Sequence, residues 1–534
     1  MLRELELEQF KAFAGLENIP VRPITLIYGP NSSGKSSIIQ CLLLLKQTLL
    51  EAENPNIPLL PKGKIVDLGG YREFVSNHDI KQHFAIKLGV KTDRKRPVWA
   101  SHRPFPDIIT ANTMALRIEF GYDETIDSVN LSGLDLYSGN HKAPVIEFRP
   151  DTRQEGKSAS FGVGFQSART RAGQTLFAVD KANYDHPFWK EVWTQRNARY
   201  KDREGELVKS LRSRKKALQD DDVISERKQQ RINKIEKQLE RIQHYSFAVA
   251  VKDFDKVHKN SFLTCSNFLP VDLRFNRFQA DEELEFEMFG FEPNSYAAGP
   301  TATISAAAHI RHFLESIVYL GPLREYPERH YIFSGNLADD VGKTGRMVPD
   351  VLFKDKALLQ KVNDHFESFG IGYRLEVASV GESRSELHDV FALRLVDKVT
   401  KVNVSIVDVG FGISQVLPII VQSMLSYGKT LLIEQPEIHL HPRLQSELAT
   451  LFVESIKEPY RNEFVVETHS EHLILRLQRL IRQGTLQADD VSVLYVDRTP
   501  DGSRCIPLRL DSKGGFIDRW PGGFFEESYH EMFS

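Results

Sequence analysis

Charged and apolar residues alternate through "LRELELEQF" at the start of the chain, the period of a half-buried strand. The unbroken apolar run "ITLIYG" then predicts a fully buried strand. "SSIIQCLLLLKQTLL" is apolar nearly all round at helical spacing and predicts a core helix. Residues 1–50 therefore read strand, turn, strand, loop, helix. A Pro-rich connection, "NPNIPLLPKGK", leads into "VDLGGYREF". Short runs between 84 and 165, among them "HFAIKLGV" and "MALRIEFGY", predict an antiparallel layer.

The pattern changes at 187–245, a stretch dense in charge and, from Arg199 to Tyr245, free of proline. Ile232, Ile235, Leu239 and Ile242 step by 3, 4 and 3, which is a heptad seam. Leu207, Leu211 and Leu218 on a preceding helix are candidates to face it. "QDDDV" offers an acidic helix start between the two. The prediction is a short antiparallel helical hairpin. It fits an arm that touches a partner or nucleic acid, and equally a solvated helix pair packed on its own domain.

From residue 300 the pattern alternates between strand and helix. "ESIVYLGPLRE" runs from helix to strand, and "VFALRLVD" and "VNVSIVDVG" read as strands. "SQVLPIIVQSML" (helix), "KTLLIEQ" (strand), "LQSELATLFVESI" (helix), "EFVVETHS" (strand) and "EHLILRLQRLIRQG" (helix) follow in turn. This is the signature of an α/β fold.

Bulk composition narrows the class. The 534 residues suffice for two to four domains or one interrupted domain. Apolar residues make up 41% and charged residues 26%, as in ordinary globular proteins. A net charge of −3 gives no whole-chain basic field, though a local basic face stays open. Cys41, Cys265 and Cys505 are far apart and form no disulfide framework. No apolar stretch approaches the ~20 residues of a membrane span, and the charged start is unlike a signal peptide. These features predict a soluble, cytoplasmic protein.

"GPNSSGKS", Gly29–Ser36, fits the phosphate-loop pattern GxxxxGK[ST] between a predicted strand and a helix. Gly29 and Gly34 allow the torsions that turn backbone N–H groups toward an anion. Pro30, Asn31, Ser32 and Ser33 make the loop, and the helix start at Ser36 and Ser37 adds its positive end. Lys35 is suited to the β- and γ-phosphates of ATP and the Ser36 hydroxyl to Mg²⁺.

"LLIEQPEIHLHP" ends an apolar strand in Glu434, the candidate Mg²⁺ carboxylate. Gln435 stands next, where it can orient water but take no proton. Glu437, two residues on, is expected to swing toward the γ-phosphate. His439 and His441 offer two metal donors with no further ligand at suitable spacing. His469 in "ETHS" sits just past the next apolar run, placed to sense the γ-phosphate. In "VDVGFGISQVLP", Gly410 and Gly412 expose backbone N–H groups, and Ser414 is expected to cap a helix starting near Gln415.

Together these motifs resemble the ABC-type ATPases of the SMC, RecF and OLD kind. "YLGPLRE", "EQPEIHLHPRLQ", "THSEHLILRLQRL" and "WPGGFF" are similar, more closely, to bacterial AAA-family ATPases that include the Septu-type antiphage proteins, the PtuA group, also found in some retron systems. The resemblance spans residues 1–80 and 310–534.

It implies an ABC-type P-loop ATPase head with an antiparallel β subdomain and an inserted helical hairpin. The expected division is a first head half at 1–120, an inserted region at 121–305, a second head half at 306–500 and a tail at 501–534. It also implies a homodimer or higher oligomer with ATP sandwiched between Gly29–Ser36 of one chain and Gly410–Gln415 of the other. In such families an acid at the position of Gln435 acts as base, so slow hydrolysis is expected. Only 65 residues follow His469, with Asp497 the one plausible strand-end acid, so no nuclease domain is expected in this chain. The family implies an HNH nuclease partner, and in retron systems a reverse transcriptase and its DNA product. The alternatives are a stand-alone DNA-repair or chromosome ATPase and a structural module that binds ATP without turnover.

Overall fold

The computed structural model describes residues 2–91, 99–100, 103–104, 113–151, 175–220, 225–243, 246–275, 297–335, 338–380 and 389–523. The chain forms two compact units. One comprises Met1–Ala52, Leu59–Ile86 and His312–Ser534, the other Glu53–Pro58 and Lys87–Arg311.

The first unit opens with β1 (Leu2–Glu8) paired antiparallel to β2 (Glu17–Pro20). Every residue of β3 (Ile24–Tyr28) is buried, as its unbroken apolar run requires. Helix α1 (Lys35–Glu51) follows directly, and Ile38, Ile39, Cys41 and Leu42–Leu45 are all buried. Strand β4 (Phe84–Lys91) runs through the sequence boundary between the units.

The second unit contains antiparallel strands. β5 (Thr113–Asp123) pairs β6 (Ser128–Ser138), which pairs β7 (Ile146–Pro150), then β8 (Leu176–Ala182). Helices α2 (Pro187–Gln219), α3 (Glu226–Gln243) and α4 (Phe247–Lys259) intervene. Strands β9 (Ser261–Ser266) and β10 (Leu269–Phe275) extend the ladder from β8. The predicted hairpin is α2 with α3. Leu211 and Ile232 are buried, and Lys215 pairs with Glu236 at 2.7 Å. The seam departs from the heptad in that Ile235, Leu239 and Ile242 are half-buried while Gln238 is buried. The acidic start expected in "QDDDV" lies mostly outside the described residues, and α3 begins beyond it.

Helix α5 (Ala298–Ser316) returns the chain to the first unit. There follow β11 (Ile317–Leu320), α6 (Lys356–Ser368), β12 (Tyr373–Ser379), β13 (Val390–Asp397), β14 (Asn403–Ser405) and α7 (Gly412–Leu425). Then come β15 (Thr430–Glu434), α8 (Pro442–Ser455), β16 (Glu463–Glu467), α9 (Glu471–Arg482), β17 (Val491–Thr499) and β18 (Gly502–Leu508). β12 and β14 flank β13 in a small antiparallel sheet.

The main sheet has the order β11-β15-β16-β3-β17-β18. Its first five strands are parallel and β18 is an antiparallel edge. Leu26, Ile433, Val466, Val493, Ile419 and Phe452 belong to its core. A strand buried on both faces needs this apolar run, and helices on the faces supply the cover. Among the described residues no helix is long and apolar enough to cross a membrane. The consequence for function is the strand order. β16 separates β15 from β3, so the loop after β3 leaves the sheet edge beside the tip of β16.

Candidate nucleotide site

The phosphate loop leaves β3 at Gly29, whose φ of 143° and tight surroundings demand glycine. A Cβ there would collide with the Val496 carbonyl oxygen. Ser32 at φ 61° and Gly34 at φ 101° complete the turn into α1. Lys35 is buried and folds back, its Nζ donating to the Gly29 carbonyl at 2.9 Å and the Pro30 carbonyl at 2.7 Å. Burial lowers its pKa, and the Glu467 and Glu437 carboxylates oppose that shift. These carbonyl contacts hold the ammonium over the loop. Ser33 Oγ is buried and lacks a hydrogen-bond partner. The left-handed loop, the buried ammonium and that unpaired hydroxyl fit a triphosphate.

Two carboxylates, Glu434 and Glu467, end neighbouring strands, and a third, Glu437, lies in the turn after β15. The parallel register sets Glu434 opposite Glu467, and Glu467 opposite Ile27, two residues before Gly29. Glu434 Oε1 accepts the Tyr319 hydroxyl at 3.0 Å. Burial raises the Glu434 pKa, and the negative charge of Glu467 adds to the rise. Burial also raises Glu467, against hydrogen bonding from the Ser36 hydroxyl and the charge of Lys35. Glu467 was not read as a site residue from the sequence. Its signal is the same as that of Glu434: an acid closing a short apolar strand, "EFVVE" beside "TLLIE".

Gln435 adopts φ 45° and its N–H donates to the Glu467 carbonyl at 2.7 Å. Glu437 differs from the mobile acid expected. Its Oε2 accepts the Thr468 hydroxyl and its Oε1 the His469 N–H, both at 2.7 Å. Burial raises its pKa as well. Arg324, also missed by the sequence reading, clamps this turn. Its guanidinium donates to the carbonyls of Pro322, Glu434 and Gln435, each at 3.2 Å. Burial pulls its pKa down to about 10, partly offset by Glu437, Glu434 and Tyr319.

His469 is brought to the same edge by its bond to Glu437. Its pKa is lowered by burial and by Lys35, so the ring is neutral near pH 7. Ser470 caps α9 through the Leu473 N–H at 3.3 Å. His439 and His441 do not form a metal pair. His439 is exposed with its ring 5.1 Å from Phe411, and His441 Nδ1 accepts the Arg443 N–H at 3.3 Å to cap α8. Among the described residues no group of three or more His, Cys, Asp or Glu side chains could hold a metal.

The glycine turn before α7 also departs from expectation. The helix begins at Gly412, and Ser414 lies in its first turn, donating to the Phe411 carbonyl at 2.6 Å rather than capping a start near Gln415. Gly412 rests so close to the His439 carbonyl that a Cβ would stand 2.9 Å away. Gly410 has open space around it, and Gln415 is buried with its Nε2 lacking a hydrogen-bond partner.

Family models match three parts of the chain. Residues 335–474 match a model described as an AAA ATPase domain, residues 4–246 one described as an AAA domain, and residues 486–534 one for a protein of unknown function. No curated protein matches. Among solved structures, an Smc head domain from Pyrococcus furiosus with the C-terminal domain of ScpA is 12% identical, with 95% of this chain and 96% of that chain covered and a TM-score of 0.37. The SMC head domain from Thermotoga maritima is 9% identical, with 95% and 99% covered and a TM-score of 0.35. At such scores the fold rests on the strand order and phosphate loop themselves.

Proposed function

We propose that this chain, an ATPase by its two AAA-domain matches, works as a slow, ATP-held clamp that gates a partner nuclease in antiphage defence. The observation that carries the slow-clamp reading is the turn after β15. Gln435 occupies the position of the expected base, and both oxygens of Glu437 are engaged. A missing general base slows turnover by roughly 10²–10⁴-fold. The gating of a nuclease rests on the motif resemblance.

Gly29–Ser37 would cradle the triphosphate, with Lys35 released from its two loop carbonyls to the β- and γ-phosphates. Ser36 and Glu434 would hold Mg²⁺, which supplies charge neutralisation at the transferring phosphate. Gln435 orients water, and His469, neutral beside Lys35, donates toward the γ-phosphate. Gly410, Gly412, Ser414 and Gln415 of a second copy would close the site, so that ATP favours the homodimer by mass action. The free thiols of Cys41, Cys265 and Cys505 support a reducing, cytoplasmic setting.

Native mass spectrometry of the chain purified with its genomic neighbours tests this. A dimer or higher oligomer carrying an HNH-type nuclease and intact ATP is expected. Ser414→Arg should retain ATP on monomers but lose the dimer. A lone, rapidly turning-over ATPase would sink the clamp reading.

One observation favours a second reading, a DNA-binding ATPase that works alone. Arg212, Arg214, Lys216 and Arg227 are exposed on the α2–α3 hairpin. Reversing their charge should then weaken DNA binding and flatten its salt dependence. DNA binding that survives the reversal removes this reading.

A further inference from the structure

Glu467 has a feature that neither Glu434 nor Glu437 shares. It is only 4% exposed, yet its Oε2 has no hydrogen-bond partner. The Glu434 carboxylate takes the Tyr319 hydroxyl, and Glu437 spends both oxygens on Thr468 and His469. A buried, unpaired carboxylate oxygen is costly unless a cation answers it. Lys35 answers it only through space, because its Nζ hydrogen-bonds the Gly29 and Pro30 carbonyls and not this oxygen.

The neighbours of Glu467 define what cation fits. The Ser36 hydroxyl hydrogen-bonds this carboxylate. Glu434 stands opposite it in the parallel register. Two buried carboxylates side by side repel, and a hard divalent cation relieves that repulsion. Mg²⁺ commonly takes one or two carboxylates, a phosphate-loop hydroxyl, phosphate oxygens and water.

We propose that Glu467 is a second Mg²⁺-holding carboxylate, sharing the ion with Glu434 and Ser36 at the tip of the strand that separates them. The inference rests on the nucleotide reading above and deepens it. It also gives the strand order a purpose. With β16 between β15 and β3, the acid nearest the phosphate loop is Glu467.

The test is binding of mant-ATP to the full chain, read by fluorescence across a range of free Mg²⁺. Glu467→Gln should raise the Mg²⁺ concentration for half-maximal binding at least tenfold. Binding in EDTA should stay equal or tighten, because a negative charge beside Lys35 is gone. An unchanged Mg²⁺ requirement overturns the proposal, including the case in which turnover falls, which would make Glu467 a base instead. Glu467→Asp, which keeps the charge but shortens the reach, serves if the glutamine variant does not fold. A smaller rise in the Mg²⁺ requirement is expected, and none would again overturn the proposal. Failure of the unaltered chain to bind mant-ATP at any Mg²⁺ concentration would overturn the nucleotide reading itself.

Discussion

Glu437 is fastened to Thr468, its Oε2 accepting the threonine hydroxyl at 2.7 Å. The other oxygen takes the His469 N–H, so one side chain ties the turn after β15 to the turn after β16. A brace and a base predict different losses. Glu437→Ala removes two charge-assisted hydrogen bonds and should cost about 3 kcal/mol of stability. Urea unfolding reads this directly. An unchanged midpoint together with a collapse in turnover would make Glu437 the base.

Gln435 is fixed by its own backbone. At φ 45° it lies in the left-handed region, and its N–H is held by the Glu467 carbonyl at 2.7 Å. Glutamate tolerates that backbone no worse than glutamine, so Gln435→Glu changes chemistry more than structure. Single-turnover ATP hydrolysis should accelerate roughly tenfold or more, toward the range a positioned base supplies. The proposed ATP-held dimer should shorten in lifetime accordingly. No acceleration would show that water does not approach this side chain.

Much of this site was legible because its parts are local. Strand β3, the phosphate loop and α1 are contiguous, and an unbroken apolar run before GxxxxGK[ST] fixes their geometry. The position of Glu434 at a buried strand tip was legible for the same reason. Glu467, Arg324 and Tyr319 were not, because their meeting at this edge arises from which strands lie side by side. Nothing in "EFVVE" announces that this strand inserts between β15 and β3. The same limit explains Ser414. A serine after glycines reads as a cap, but the helix starts ahead of it at Gly412, which packs close to the His439 carbonyl.

Gly29 should tolerate no side chain. Its φ of 143° is a glycine conformation, and the Val496 carbonyl fills the space a Cβ would enter. Gly29→Ala should cost about 2 kcal/mol or more from backbone strain alone. It should also displace the carbonyl that now holds Lys35. The expected outcome is a lowered melting temperature and loss of mant-ATP binding together. Retention of both would mean that the loop relaxes freely and is not a preformed cradle.

His258 gives the second unit a pH dependence of its own. It is fully buried on α4, its Nδ1 hydrogen-bonded with the Tyr184 hydroxyl at 2.9 Å and its ring 5.1 Å from Trp189. Burial depresses its pKa to about 3, against a smaller upward pull from Asp255. The folded form therefore keeps the ring neutral where the unfolded chain, with an ordinary histidine pKa, binds a proton. Stability from this group is complete above the unfolded pKa of about 6.5. It is lost as pH falls below that value and levels off near the folded pKa. Between pH 7 and pH 5 the loss is about 2 kcal/mol. Tryptophan fluorescence during urea unfolding at the two pH values measures it, with Trp189 as a nearby reporter. His258→Phe, with no proton to bind, should be less stable at pH 7 through the lost Tyr184 bond. Its stability should nevertheless fall by about 2 kcal/mol less over the same pH interval. Equal falls in both proteins would place the acid sensitivity elsewhere.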